Sequence, residues 1–138
     1  MNVHIGYLLK NIADKLHGRA DANFKKYNLT FQQSKIIGFL SFKNDCASQK
    51  EIENFLQVSH PTVVGIVTRM EQNGFLTVCV DETDRRNKIV KLTPKSIELW
   101  KSLRHTIEEN EKKISKGLTE QQISEFINML EIIYQNLD

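Results

Sequence analysis

From Ser59 to Asn73 the chain places Val63, Val67 and Met70 at helical spacing and stops at Gly74. Two short β-type runs follow, Leu76–Val80 and Ile89–Leu92, with Asp84-Arg85-Arg86-Asn87-Lys88 between them. The helix has an inner seam and keeps His60, Thr62, Gly65, Arg69 and Gln72 outward. A polar-faced helix that feeds directly into a hairpin with a basic tip is the layout of a winged helix-turn-helix. In that layout the helix enters the major groove of duplex DNA and the hairpin tip reaches the flanking backbone. Charged hairpin tips usually stay solvated and idle; the helix-turn-helix in front of this one gives its arginines a use.

The rest of the chain divides into helices by its own start signals. Thr30-x-x-Gln33, Ser48-x-x-Glu51 and Thr119-x-x-Gln122 each match a capping box. In such a box the hydroxyl accepts from an orphan N–H of the first turn and the Gln or Glu reaches back. Ser59 reads as a further N-cap with Pro61 in the first turn, and Pro94 as a first helical residue after Thr93. Gly74 and Gly117 sit where helices should stop. Apolar stripes then predict a first helix from about Val3 to Lys26 (Ile5, Leu8, Leu9, Ile12, Leu16, Phe24) and a second from Thr30 to Lys43 (Ile36, Ile37, Leu40). A short third carries Ile52, Phe55 and Leu56. Beyond the hairpin, a fifth from Thr93 to about Ser115 carries Leu99, Leu103, Ile107 and Ile114, and a sixth carries Ile123, Phe126, Ile127, Leu130, Ile133 and Leu137.

The expected fold is therefore mainly α with a small β-hairpin wing (α+β): four helices, the hairpin, and two more helices. A length of 138 residues suggests one domain, with the helix-turn-helix at about 48–73, the wing at about 76–92 and dimerisation helices at about 3–26 and 93–137. The fifth helix would span about 33 Å at 1.5 Å per residue, more than a wing core needs. Its far half, with the first and last helices, carries apolar stripes that a second subunit would cover, so a homodimer is expected.

Formal net charge is only +2, which excludes a chain that coats any polyanion. The charge is concentrated instead: Arg85, Arg86, Lys88, Lys91 and Lys95 follow one another with no acid among them, while Glu108, Glu109, Glu111, Glu120, Glu125 and Glu131 lie further on. A local basic patch on a near-neutral protein fits a defined nucleic-acid footprint. The start lacks a signal-peptide pattern because Lys10 and Asp14 interrupt its apolar run, and no apolar segment approaches the roughly 20 residues of a membrane span. A cytoplasmic location is expected, with no membrane partner.

Three segments together resemble the MarR family of winged-helix transcription regulators. They are Ser59-His60-Pro61-Thr62-Val63, Arg69-Met70-Glu71-Gln72-Asn73-Gly74-Phe75-Leu76, and Asp84-Arg85-Arg86-Asn87-Lys88-Ile89-Val90-Lys91-Leu92-Thr93. The wing segment is the most specific, with its acid, two arginines and the "Leu-Thr" at the next helix start; Pro94-Lys95-Ser96 departs from the glycine that often follows. The resemblance covers nearly the whole chain. It implies a dimer on a pseudo-palindromic operator, usually a repressor released by a small ligand, by oxidation or by metal.

Candidate DNA contacts follow from position. Ser59, His60 and Thr62 open the recognition helix, Gly65 lets it approach closely, and Arg69 can reach a phosphate or a guanine edge. Arg69 could equally be paired with a nearby acid. Arg86 is assigned to the minor groove or a phosphate, with Arg85 and Lys88 adding charge. Asp84 braces the turn by accepting from Arg85 or the turn backbone. Ser48, Gln49 and Lys50 begin the third helix and suit phosphate binding through helix-end N–H groups, unless the helix is merely capped.

Signals for an effector are thinner. Cys46 is read as lying in a turn and Cys79 as half-buried in a strand; neither has a neighbouring cation to activate it. Peroxide-sensing members of the family carry a first-helix cysteine, which this chain lacks. His17, His105 and Glu109 could meet only through the fold, so no metal and no cofactor are expected. For a small-molecule effector the resemblance implies a crevice between the DNA-binding lobe and the dimer helices, with His17, Phe24, Ile36, Phe39 and Trp100 as wall candidates. No phosphate loop, paired-histidine motif or nucleophile–base pair points to an enzyme. The competing function is a winged helix used for protein–protein interaction without sequence-specific DNA binding, which has little need for so many wing cations.

Overall fold

A computed structural model describes residues 3–137, the side chain of Asp21 apart. Its elements run α1 (Ile5–Lys25), α2 (Phe31–Phe42), β1 (Cys46–Ser48), α3 (Gln49–Leu56), α4 (His60–Gln72), β2 (Leu76–Val80), β3 (Lys88–Leu92), α5 (Pro94–Ile114) and α6 (Glu120–Gln135). The chain divides into two compact units, Met1–Arg104 and His105–Asp138.

Each expected cap forms. The hydroxyls of Thr30, Ser48 and Thr119 accept from the backbone of Gln33, Glu51 and Gln122, and those side chains accept from the cap N–H in return. Ser59 Oγ accepts from Thr62 N–H at 3.4 Å. Gly74 and Gly117 take φ of +82° and +91°, the left-handed geometry that lets a helix turn away without a Cβ clash.

In the first unit the core gathers Phe24 of α1, Ile36, Ile37 and Leu40 of α2, Ile52 of α3, and Val63, Val67 and Met70 of α4. Phe75, Leu76, Val90, Leu92 and Leu103 join them, all buried. Full burial of each such large side chain stabilises the fold by about 1.5–3 kcal/mol. The hairpin pairs β2 with β3, Leu76 opposite Leu92 and Val78 opposite Val90.

Two readings from sequence need correction here. The sheet has three strands in the order β1-β3-β2, not two: Cys46, Ala47 and Ser48 pair antiparallel with Lys91, Val90 and Ile89. Cys46 is thus in a strand rather than a turn. Asn44 and Asp45 hold φ of +58° and +71°, and that double left-handed bend swings the chain from α2 onto the free edge of β3. The second correction concerns Cys79, which is exposed on β2 rather than half-buried.

A hydrogen-bond cluster joins the base of the wing to the end of α4. Buried Ser96 Oγ donates to Phe75 O at 2.6 Å and Thr93 Oγ1 to Gly74 O at 2.7 Å. Lys95 Nζ donates to Asn73 O at 3.1 Å while lying over the Phe75 ring. This fixes where the wing leaves the recognition helix. In the second unit α6 buries none of its residues, and Phe126, Ile127, Met129 and Ile132 are exposed.

Candidate nucleic-acid interface

The helix-turn-helix is α3, a turn, and α4. Gln57 closes α3 in a left-handed conformation at φ +56°, its N–H donating to Glu53 O at 2.9 Å. At the start of α3 the capping box engages Ser48 on both its N–H and its hydroxyl, and the Gln49 side chain is buried. Of the three residues expected there, Lys50 alone is exposed. At the start of α4, Ser59 and Thr62 are exposed with their hydroxyls 2.8 Å apart. His60, the first residue of α4, has a side chain 66% exposed, and its Nδ1 meets the carboxylate of Glu53. Gly65 is exposed, and a Cβ added there would have nothing within 4 Å.

The wing tip is held by two aspartates. Asp84 Oδ1 accepts from Arg86 N–H at 3.1 Å and from Arg86 Nε at 3.2 Å. Its side-chain partners are therefore Arg86 and, at 3.5 Å, Asn87 Nδ2, not Arg85. The Arg86 side chain stays 91% exposed despite that bond. Asp81 Oδ1 accepts from Thr83 Oγ1 at 2.7 Å and Thr83 N–H at 2.9 Å. These bonds, the hydroxyl first, hold the Asp81 carboxyl below the usual aspartate range. Lys88 is the first residue of β3 rather than part of the loop, and Arg85 is exposed.

These elements enclose one groove of about 340 Å³, walled by Gln49, Lys50, Glu53, His60, Val64, Arg86, Asn87 and Lys88. It brings together five of the expected contacts: Gln49, Lys50, His60, Arg86 and Lys88. Arg69 lies elsewhere. It walls a second cavity of about 400 Å³ with His17 of α1, the cap Thr30, Phe31 to Gln33 and Lys35 of α2, and Ile66 of α4. Of the expected effector-site residues, only His17 lines that cavity. Phe24 and Ile36 are fully buried core, Phe39 stacks on Phe55 at 4.4 Å, and Trp100 lies against Gly38.

Reasoning from sequence missed Glu53, Val64 and Asn87. Nothing in the spacing of Glu53 and His60 marks them as partners, because they meet only across the turn. Asp81-x-Thr83, by contrast, carries the signature of an aspartate that bonds the backbone two residues on. Among the described residues no group of three or more His, Cys, Asp and Glu side chains is placed to hold a metal ion.

The model of the MarR family matches residues 27–87, the stretch that contains α2, the helix-turn-helix and most of the wing. Over that stretch the chain resembles the MarR family. The chain is similar to BadR, a transcriptional activatory protein of Rhodopseudomonas palustris, with 30% identity over 99 residues, 70% of this chain. The match spans 57% of BadR's own length, little more than half of it. It is also similar to IacR, an HTH-type transcriptional repressor of Pseudomonas putida, with 27% identity over 128 residues, 90% of this chain and 76% of IacR. In fold it matches the MepR–DNA complex of S. aureus with a TM-score of 0.91 at 23% identity, covering 99% of this chain and 100% of that one.

Proposed function

We propose that this chain is a sequence-specific, double-stranded-DNA-binding transcription regulator that acts as a homodimer on a pseudo-palindromic operator. The observation that carries this reading is the groove in which the first turns of α3 and α4 and the wing tip converge. Lys50, His60, Arg86 and Lys88 face a partner there from three elements at once. That is the chemistry of a phosphate-lined duplex whose base edges the start of α4 can reach. Ser59, Thr62, Gly65 and Arg85, all exposed, extend the footprint beyond the groove.

The sign we adopt is repression, after IacR, which matches the larger share of the chain; BadR, named an activatory protein, gives the opposite sign. The small-molecule effector belongs in the cavity shared by His17 and Arg69, because an occupant there touches the recognition helix. No enzymatic step and no cofactor are part of this reading, and a cytoplasmic location follows from the DNA partner. Among the described residues no helix is long and apolar enough to cross a membrane.

Selection of bound fragments from genomic DNA by the purified protein tests the reading directly and yields the operator. A salt titration of operator binding then compares wild type with Arg86→Ala. Loss of one phosphate contact lowers the slope of log K against log salt by about one unit and weakens all duplexes alike. Melting is unchanged, since so exposed a side chain has little packing to lose. Equal affinity and equal slope in a folded variant would take the wing off the DNA.

A further inference from the structure

Glu53 is an acid where a DNA-binding surface should avoid one. It walls the groove beside Lys50, His60, Arg86 and Lys88, yet its side chain is only 9% exposed. A carboxylate there repels phosphate, and burying one costs free energy unless it is paired and hydrogen-bonded. Both oxygens are engaged. Oε1 meets His60 Nδ1, and Oε2 lies 3.8 Å from Lys50 Nζ. The first contact crosses the turn of the helix-turn-helix and fastens α3 to the first residue of α4.

Its chemical consequence falls on the histidine. A neutral imidazole carries its proton on one of two nitrogens, and the partner of one decides the role of the other. A carboxylate at Nδ1 can only accept, so Nδ1 keeps its hydrogen and Nε2 becomes the nitrogen left for any other partner. Histidine free in water favours the opposite tautomer. The contact also holds a side chain that is otherwise two-thirds in solvent.

Resting on the DNA-binding reading above, we propose that Glu53 is the positioning residue of the recognition helix. It fixes the tautomer and orientation of His60, so that Nε2 is the atom presented to the operator and contributes to sequence discrimination. Glu53 itself touches no DNA; its effect passes entirely through His60.

The test compares operator with unrelated duplex in wild type, Glu53→Ala, Glu53→Gln, His60→Ala and the Glu53→Ala/His60→Ala double variant, alongside nitrogen NMR of the imidazole. Glu53→Ala should lower the operator-to-nonspecific affinity ratio about tenfold, the scale of one lost base-edge contact. Glu53→Gln, whose amide oxygen still accepts from Nδ1–H, should recover most of it. The double variant should be no worse than His60→Ala, since the two residues act as one unit. The deprotonated ring should carry its hydrogen on Nδ1 in wild type and shift to Nε2 in Glu53→Ala. Should Glu53→Ala fail to fold, the wild-type tautomer and the Glu53→Gln ratio still decide. A wild-type ring protonated at Nε2, unchanged discrimination in Glu53→Ala, or losses that add in full would overturn the positioning role. A wild-type protein with no operator preference would overturn the functional reading itself, a different result.

Discussion

At the wing tip, short side chains set where long ones can go. Asp81 and Asp84 each bond a backbone N–H two residues on, and Asp84 also takes the Arg86 Nε. Arg86 is thereby tethered at its base while its side chain remains open to a partner. Thr83 is the main cause of the lowered Asp81 pKa, first through its hydroxyl and then through its N–H. Thr83→Ala should therefore raise that pKa toward the ordinary aspartate value, read by carboxyl carbon NMR against pH. The sign follows from linkage: a depressed carboxyl stabilises the loop fully above the ordinary aspartate range. That contribution fades as pH falls through the lowered value. A pKa unmoved by the substitution would mean that Thr83 does not hold the turn. Asp81-x-Thr83 is a local motif, although the sequence reading did not single it out. The partner of Asp84 was only half legible, since the side chains of Arg85 and Arg86 compete for it and the geometry of the turn decides.

Two helical glycines make the contrast between elements sharp. Gly38 of α2 faces Trp100 of α5, and a Cβ there would stand 2.8 Å from Cη2 and 3.1 Å from Cζ3 of the indole. An alanine gains about 1 kcal/mol of helix propensity, but overpacking costs about 1–3 kcal/mol, and a rigid indole ring yields poorly. Gly38→Ala should lower thermal stability and shift the emission of the only tryptophan, Trp100. Gly65 of α4 meets nothing, so Gly65→Ala should stabilise the free protein by about 1 kcal/mol. If α4 sits against the groove floor, the same methyl group weakens operator binding, and calorimetric melting with a binding isotherm separates the two effects. A variant that is more stable and binds equally well would remove Gly65 from the interface. Helix starts were legible from sequence because a capping box closes within four residues. The strand β1 was not: three residues are too few to display alternation, and they become a strand only because β3 has an edge to offer.

At the scale of the molecule, apolar side chains remain in solvent on several helices, α1 and α6 among them. Ile5, Leu8 and Ile12 of α1 are exposed, and so are Phe126, Ile127, Met129 and Ile132 of α6. A second copy covering them is the homodimer of our functional reading. Sedimentation at micromolar protein should give twice the 16.0 kDa chain mass. Ile127→Glu should shift the protein toward monomer, because a charge buried unpaired in an apolar seam costs several kcal/mol. A clean monomer in the wild type would defeat the expectation.

By itself the sequence determined the helices, their caps, the inner seam of α4 and the cations of the wing, all carried by residues within a turn or two of each other. Tertiary structure alone decided three things. It laid β1 on β3, it gave Arg69 to the α1–α2 side instead of the wing groove, and it set Glu53 beneath His60. Each of these depends on where one element lies against another. Periodicity records which face of a helix is buried, but not what that face or its opposite will meet.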